Sequence, residues 1–433
     1  AAEVKIVADA GAYAYTSTKV QGNATLMCTG PYEIPNVKVD TYTVYTNNVP
    51  GGAFRGFGGP QAAFSAELQI NKLAEKLNLD PVEIRMRNVL RDGSKLPVKS
   101  PMPAGVSLPE VIERCAIEAG WKKIDGKWNN PNLKFVSTNN KIKGLGFACG
   151  YKNIGFSFGA PENCWATIEL RGGSEIEKVI LYHAGAEVGQ GSHTVFCQMA
   201  ADAVGVDLEK VELLASDTST SDNSGSVSAS RMTFMAGNSI YGAGKLALEK
   251  WKNEERPAIG KYQYKPPKTT PYDKETGECI PNFSYGYVAE AVEAEIDIES
   301  GEVHLSKVIC ADDVGKAINP QLVVGQIEGA IVQAAGYGLM ENFIQENGYV
   351  KTSQLSTYLI PTVLDIPDEI NSIIMEHPDP IGPWGARGVG EMPYIPLVPA
   401  ISSAIHAATG VWFDHFPMTP ENVLRGLGKI DEE

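Results

Sequence analysis

Apolar and polar residues alternate along Val4-Lys5-Ile6-Val7 and again from Val37 to Tyr45. A period of two marks strands with one covered face, so residues 1–50 read as extended chain turning near Gly30-Pro31. After Pro60 the period changes. Ala63, Ala66, Ile70, Leu73, Ala74 and Leu77 recur at helical spacing. Asp80-Pro81-Val82-Glu83 opens a second helix, with an Asp cap, Pro at the first position and Glu at the third. Ser107-Leu108-Pro109-Glu110 repeats the device ahead of Val111, Ile112 and Cys115. Residues 122–143 are polar, with Asn-Asn-Pro and Thr-Asn-Asn breaks. They divide the chain into an expected first domain, 1–125, and a second, 126–433.

The second part carries two units of similar order. A hairpin, Trp165–Leu170 and Val179–His183 about Gly172-Gly173, leads to Gly189-Gln190-Gly191 and a helix. A second hairpin, Glu293–Ile298 and Val303–Cys310 about Ser300-Gly301, leads to Gly325-Gln326 and an apolar helix. The expectation is a pseudo-duplication. A Lys-, Pro- and Thr-rich stretch at 252–284 reads as an exposed excursion and a candidate subdomain boundary. The last apolar helix runs from Pro399 to Ala408. Together these elements mix strands and helices along the whole chain. The opening alternation reads as a strand already in progress, as in a fragment or one piece of a split polypeptide.

Composition narrows the classes. The 433 residues hold 37 Lys+Arg against 52 Asp+Glu, a net charge of −15. Nonspecific nucleic-acid binding needs clustered cations and is not expected. No run of 18 apolar residues suggests a membrane-spanning helix. Seven cysteines stand without any CxxC pair. They read as reduced thiols of a cytoplasmic protein, with no iron–sulfur or zinc spacing.

Four glycine- or hydroxyl-rich segments could carry chemistry. In Ala53-Phe54-Arg55-Gly56-Phe57-Gly58-Gly59-Pro60-Gln61, alternate glycines admit a ligand to the backbone while Arg55 and Phe57 clamp and stack a planar group. In Glu187-Val188-Gly189-Gln190-Gly191-Ser192-His193-Thr194, a Gly-Gln-Gly turn meets a helix start. Ser228-Ala229-Ser230-Arg231-Met232-Thr233 places hydroxyls ahead of a helix. Gly385-Ala386-Arg387-Gly388-Val389-Gly390-Glu391 sets a carboxylate in a tight turn, where desolvation favours a base. Each also has an ordinary reading: a bulged strand end, a tight turn, a polar loop, a surface Glu.

Taken in order, with GPYEIPNVKV before them and GQIEGAIVQ between the third and fourth, these motifs resemble the molybdenum-binding subunit of the xanthine dehydrogenase/aldehyde oxidoreductase family. The resemblance runs from about residue 1 to 425 and matches the C-terminal part of that longer subunit. It implies an α+β fold, with mixed α/β domains around a molybdopterin, the cytosine dinucleotide form being expected. It implies Glu391 as catalytic base, and Arg55 and Phe57 as substrate-binding residues. Gly56, Gly58, Gly189, Gln190, Gly191, Ser228, Ser230, Arg231 and Gln326 are implied as cofactor-binding. No protein side chain need ligate the metal.

Iron–sulfur clusters and FAD are expected on other subunits, with the N-terminal half of the molybdenum subunit as a further partner. Asn23, nine residues before Tyr32, replaces the arginine of purine-oxidising members, so a nicotinate-like substrate stands beside a purine. Phe54-Arg55-Gly56-Phe57 lacks the cysteine of the carbon-monoxide-oxidising branch. An aldehyde oxidoreductase and a non-catalytic scaffold keeping the fold are the alternatives.

Overall fold

The computed structural model describes residues 1–131 and 140–431. The chain opens with β1 (Ala2–Gly11), α1 (Ser17–Met27) and β2 (Val37–Tyr45). β1 and β2 pair in parallel, from Ala2 opposite Val37 to Gly11 opposite Tyr45. A parallel pair needs a crossover, and α1 supplies it. The periodicity does not announce this helix, because half of its buried face is polar: Ser17, Gln21 and Asn23 beside Ala24, Leu26 and Met27.

Then come α2 (Gly59–Leu77), α3 (Pro81–Asn88) and α4 (Leu108–Glu118). Asp80 caps α3 as its sequence predicts, accepting from the N–H groups of Val82 and Glu83. Ser107 precedes α4 without capping it. Its hydroxyl instead donates to the buried Asp313 carboxylate, a stronger acceptor. A short hairpin, β3 (Lys122–Ile124) and β4 (Lys127–Asn129), follows. Part of the polar stretch assigned to the domain boundary, residues 132–139, lies outside the described residues.

Two four-stranded sheets carry the rest. β5 (Lys141–Asn153) precedes β6 (Cys164–Arg171), β7 (Lys178–His183), α5 (Ser192–Val204), β8 (Val211–Ala215), α6 (Met232–Lys252) and β9 (Ala258–Tyr264). β10 (Tyr285–Asp297), β11 (Val303–Asp313), α7 (Pro320–Leu339), the β12–β13 hairpin (Gln345–Glu346, Tyr349–Val350), β14 (Glu369–Met375), α8 (Leu397–Thr409) and α9 (Pro420–Gly426) complete the chain.

One sheet has the order β8-β7-β6-β9 and the other β14-β11-β10-β5. In each, a central antiparallel hairpin is flanked by a parallel strand on one side and an antiparallel strand on the other. The flanking strand β9 arises inside the 252–284 stretch, which is therefore not wholly an excursion: Gly260 pairs with Ile168 in the sheet. Its buried positions are held by Ala258 and Gly260 while Ile259 faces outward, so the hydrophobic pattern does not mark it.

Glycines bring each sheet against its helix. A Cβ on Gly146 of β5 would lie 2.0 Å from the Ala400 carbonyl oxygen of α8, and one on Gly260 of β9 2.1 Å from that of Ala243 of α6. Both contacts are with backbone, so neither position admits alanine at this spacing.

The core on one face of the β10 sheet joins Leu26, Tyr32, Val111, Ile112, Phe147 and Ala289. Within it, Arg85 and Glu67 form an ion pair of 2.7 Å with both side chains fully buried. Glu67 also accepts from the Tyr32 hydroxyl and from the Cys149 N–H at 2.8 Å. α2, α3 and β5 are thereby locked together directly behind the Arg55 loop.

Candidate active site

The loop 54–58 enters α2 through backbone that glycine makes possible. Gly56 and Gly58 have φ of 93° and 89°, and a Cβ on Gly58 would lie 2.3 Å from the Val20 carbonyl oxygen. Phe57 sits between them at φ 50°, strained for a residue with a side chain. Its carbonyl accepts from Asn23 Nδ2 at 3.0 Å, so α1 fixes the loop from behind.

Arg55 then crosses to the far end of the chain. Its Nε donates to the Gly390 carbonyl, and its Nη2 to the carbonyl and side-chain oxygens of Gln326 at 3.1 and 3.2 Å. Burial pulls the guanidinium below its ordinary range, and Glu391, Tyr394 and Asp312 oppose that. Beside it, Phe54 stacks on Tyr337 and meets Tyr394 edge-on, with centroids 6.0 and 5.6 Å apart. Sequence reasoning did not single out this aromatic wall, since only folding brings the three rings together.

Glu391 is held by three elements. Its Oε1 accepts from the Gly56 N–H at 3.1 Å, and its Oε2 from the Ser230 hydroxyl at 3.0 Å. Ser230 Oγ in turn accepts from the Glu391 N–H at 3.1 Å. Lys152 Nζ, at the end of β5, lies 3.4 Å from Oε2 with only 1 % of its side chain exposed. Gly388 permits the close approach: a Cβ there would be 1.9 Å from the Ser230 carbonyl oxygen. The turn is anchored by the buried Arg387, which donates to the carbonyls of Tyr285 and Gly105 at 2.6 and 2.9 Å.

The serine loop reaches the site through strained backbone, with Ala229 and Ser230 at φ 54° and 49°. Arg231 faces away from the site. Its guanidinium is buried and spends its donors on Glu162 and the carbonyls of Ser224, Ser226 and Asn163. It holds the loop's shape rather than offering a hydrogen to a ligand. Ser228 is exposed and shares a hydrogen bond with Ser226 at 2.7 Å.

Gln190 and Gln326 line one cleft of about 470 Å³ with Gly189, Thr194, Asn319 and Gly325. Gln326 lies in the second turn of α7, not ahead of the helix as its pairing with Gly189-Gln190-Gly191 suggested. The N–H groups of Gly189, Gly191 and His193 are taken by the chain's own Glu187 carboxylate at 2.8, 2.9 and 3.0 Å. That carboxylate, against α5, does the work expected of an external anion. Gln190 bonds within its loop, to the Val188 N–H and the Ala186 carbonyl.

A Cβ on Gly189 or Gly325 would meet nothing within 4 Å, so both glycines leave open space where a side chain would fill the cleft. A cleft edged by carboxamides and bare backbone suits a flat heterocycle with mixed donors and acceptors. Among the described residues, no group of three or more His, Cys, Asp or Glu could hold a metal ion.

Beneath the site lies an acid cluster that the sequence did not suggest. Asp312 and Glu290 are fully buried, and Asp312 Oδ2 accepts from Cys310 Sγ at 3.1 Å. Burial pushes Asp312 up to about 7, with the Cys310 bond and the Arg55 charge opposing, and holds Glu290 well above the usual carboxylate range.

Two family profiles, each described as a molybdopterin cofactor-binding domain, match residues 1–89 and residues 114–260 with 243–367. A probable xanthine dehydrogenase subunit of Bacillus subtilis is 30% identical over 460 residues, covering 99% of this chain and 60% of that protein. The aldehyde oxidoreductase of Megalodesulfovibrio gigas is 33% identical over 417 residues, covering 92% and 44%. The crystal structure of the aldehyde oxidoreductase from Desulfovibrio desulfuricans superposes with a TM-score of 0.87 at 30% identity, covering 97% of this chain and 46% of that one. The chain thus spans about half the length of the relatives it matches.

Proposed function

We propose, from the premise that this chain belongs to the molybdenum hydroxylase family of xanthine dehydrogenases and aldehyde oxidoreductases, that it forms the catalytic end of a subunit hydroxylating an electron-poor carbon in an N-heteroaromatic ring. The substrate class is purine- or nicotinate-like. The observation that carries this reading is Glu391, an aimed carboxylate at the meeting point of the Arg55, Ser230 and Lys152 segments.

Gln190, Gln326 and the bare backbone at Gly189 and Gly325 would hold the pterin in their shared cleft, with the Ser228–Ser230 loop, shaped by Arg231, at its side. Gly191, at the start of α5, and Gly56 and Gly58, beside the metal end, would complete the cradle. The bound molybdenum cofactor supplies two-electron oxidation and an oxygen drawn from water.

Glu391 would be the proton acceptor for that chemistry. Its fixed Oε1 and Oε2 contacts mean that no reorientation is needed at that moment. Arg55 keeps Nη1 clear of the bonds that anchor its Nε and Nη2, so one donor face is left for a substrate carbonyl or carboxylate. Phe57 offers a ring for stacking. Asn23, turned onto the Phe57 carbonyl, brings no charge to a purine, which keeps a pyridine carboxylate in the substrate class.

Electrons leave for iron–sulfur and flavin centres on partner chains. The described cysteines are all free, and six of the seven are buried. No described helix is long and apolar enough to cross a membrane, and the setting we propose is cytoplasmic.

The test is kcat/KM for nicotinate, purine and aldehyde substrates on the intact complex and on Arg55→Met. A preference for the ring substrates that collapses in the variant supports the reading. A preference for small aldehydes untouched by loss of Arg55 transfers the chain to the aldehyde oxidoreductases.

A further inference from the structure

Lys152 has no place in the chemistry above. A lysine with 1 % of its side chain exposed is rare, because an ammonium is costly to desolvate without a partner. Here its hydrogens go to the Asn153 carbonyl at 3.1 Å and the Asn153 side-chain oxygen at 2.8 Å. Its charge faces Glu391 Oε2 at 3.4 Å, and among the described residues no other carboxylate lies within 4.0 Å of it. Burial draws the ammonium below its ordinary range and Glu391 holds it up.

The position is built for this. Lys152 stands opposite Gly286 in the register between β5 and β10. Gly286 carries no side chain on the face where a Cβ would strike Met392, the residue after Glu391. The sheet therefore presents the lysine stem and leaves room for the Glu391 turn to settle on it. The charged groups around Glu391 are Lys152 from β5 and Arg55 from the loop before α2. Asp312 of β11 and Tyr394 lie around Arg55.

We infer that Lys152 is a positioning residue for Glu391: its buried charge fixes the aim of Oε2. The inference deepens the proposed function and rests on it. With Lys152 in place, Oε2 is held by a buried cation as well as by the Ser230 hydroxyl. A neutral residue at 152 removes that charge and leaves the oxygen less firmly aimed.

The experiment is kcat and KM, read separately, for the intact complex carrying Lys152→Met, Lys152→Arg or Glu391→Gln, each matched for cofactor content. In Lys152→Met kcat should fall by roughly 10- to 100-fold while KM stays near wild type, as for a reacting group that has lost its aim. Lys152→Arg, which keeps the charge, should recover much of the lost kcat.

A second readout does not depend on turnover. In a double-variant cycle of denaturation midpoints, Lys152→Met and Glu391→Gln should be clearly non-additive. An unchanged kcat in Lys152→Met, or additive midpoints, overturns the inference while leaving the Glu391 reading intact. Wild-type turnover by Glu391→Gln overturns both.

Discussion

Gly388→Ala adds one methyl group where the Glu391 turn meets the serine loop. Gly388 is outside the left-handed region, so the backbone itself tolerates alanine and the whole effect is one of contact. The new Cβ would lie 1.9 Å from the Ser230 carbonyl oxygen and 2.9 Å from its carbonyl carbon and Cβ, whereas real Cβ atoms essentially never come within 3.0 Å. The two loops must part by about 1 Å or more. Ser230 is already strained at φ 49° and its neighbour Arg231 is held on every side, so the Glu391 turn is the partner that moves.

Both hydrogen bonds between Ser230 and Glu391 then exceed bonding distance. One is charge-assisted, worth about 1.5–3 kcal/mol, and the other is ordinary, worth about 1 kcal/mol. The variant should lose about 2–4 kcal/mol of local stability. A displacement of this size at a reacting group costs roughly 100-fold in rate. The assay is kcat/KM per bound molybdenum together with a denaturant midpoint, alongside Gly173→Ala as control. A Cβ added at Gly173 meets nothing within 4 Å, so that variant should show neither effect. If Gly388→Ala matched Gly173→Ala in both, the close packing of these loops would not be what aims Glu391.

Other outcomes follow from the same geometry. Glu391→Gln should keep the fold and bound cofactor but lose turnover by several orders of magnitude, since the amide accepts no proton; quantifying molybdenum beside steady-state rate checks this. Arg85→Met strands the buried Glu67 carboxylate and should destabilise the chain by about 3–5 kcal/mol, read as a lower denaturant midpoint. Asp312 holds its proton up to about pH 7 when folded and only to about 4 when unfolded, so it makes stability fall as pH rises through that window. Asp312→Asn should flatten the fall, seen by comparing unfolding midpoints at pH 5 and 8. His183, buried and accepting from the Gly185 N–H at 2.9 Å, is pulled down to about 3. Its contribution is full above about 6.5 and fades as pH falls toward 3; His183→Gln should lessen that acid sensitivity of the midpoint.

Local signals in the sequence were reliable where a local cause sets the structure. The Asp80 cap, the helix after Pro60, both hairpins and the helix after Gly191 appear where spacing places them. Ser107 has the same cap signature as Asp80 but is captured by Asp313, a partner 206 residues away. α1 escapes because it buries polar residues, and β9 because it is paired yet half exposed.

The site divides in the same way. Arg55, Ser230, Gln326 and Glu391 are each flagged by a neighbouring glycine or serine motif. Folding then brings Arg55 to Gln326 and Glu391 to Ser230. Lys152 ends a strand whose preceding residues are small or apolar, and Asp312 looks like any acid at a strand end. Neither spacing nor composition tells that the first lies against Glu391 and the second beneath Arg55.

The larger sheet has a consequence for how the chain comes off the ribosome. β5 ends at residue 153, and the strand that pairs with it begins at residue 285. At about 5–20 residues per second, the interval is on the order of ten seconds, during which β5 has both edges bare. The intervening sheet takes all its strands from within that interval and can close first. Lys152 must wait longer still, until Glu391 is made. The order of synthesis thus completes the reacting corner only after every strand of both sheets has been made, and a polypeptide released before that would carry an exposed edge and no base.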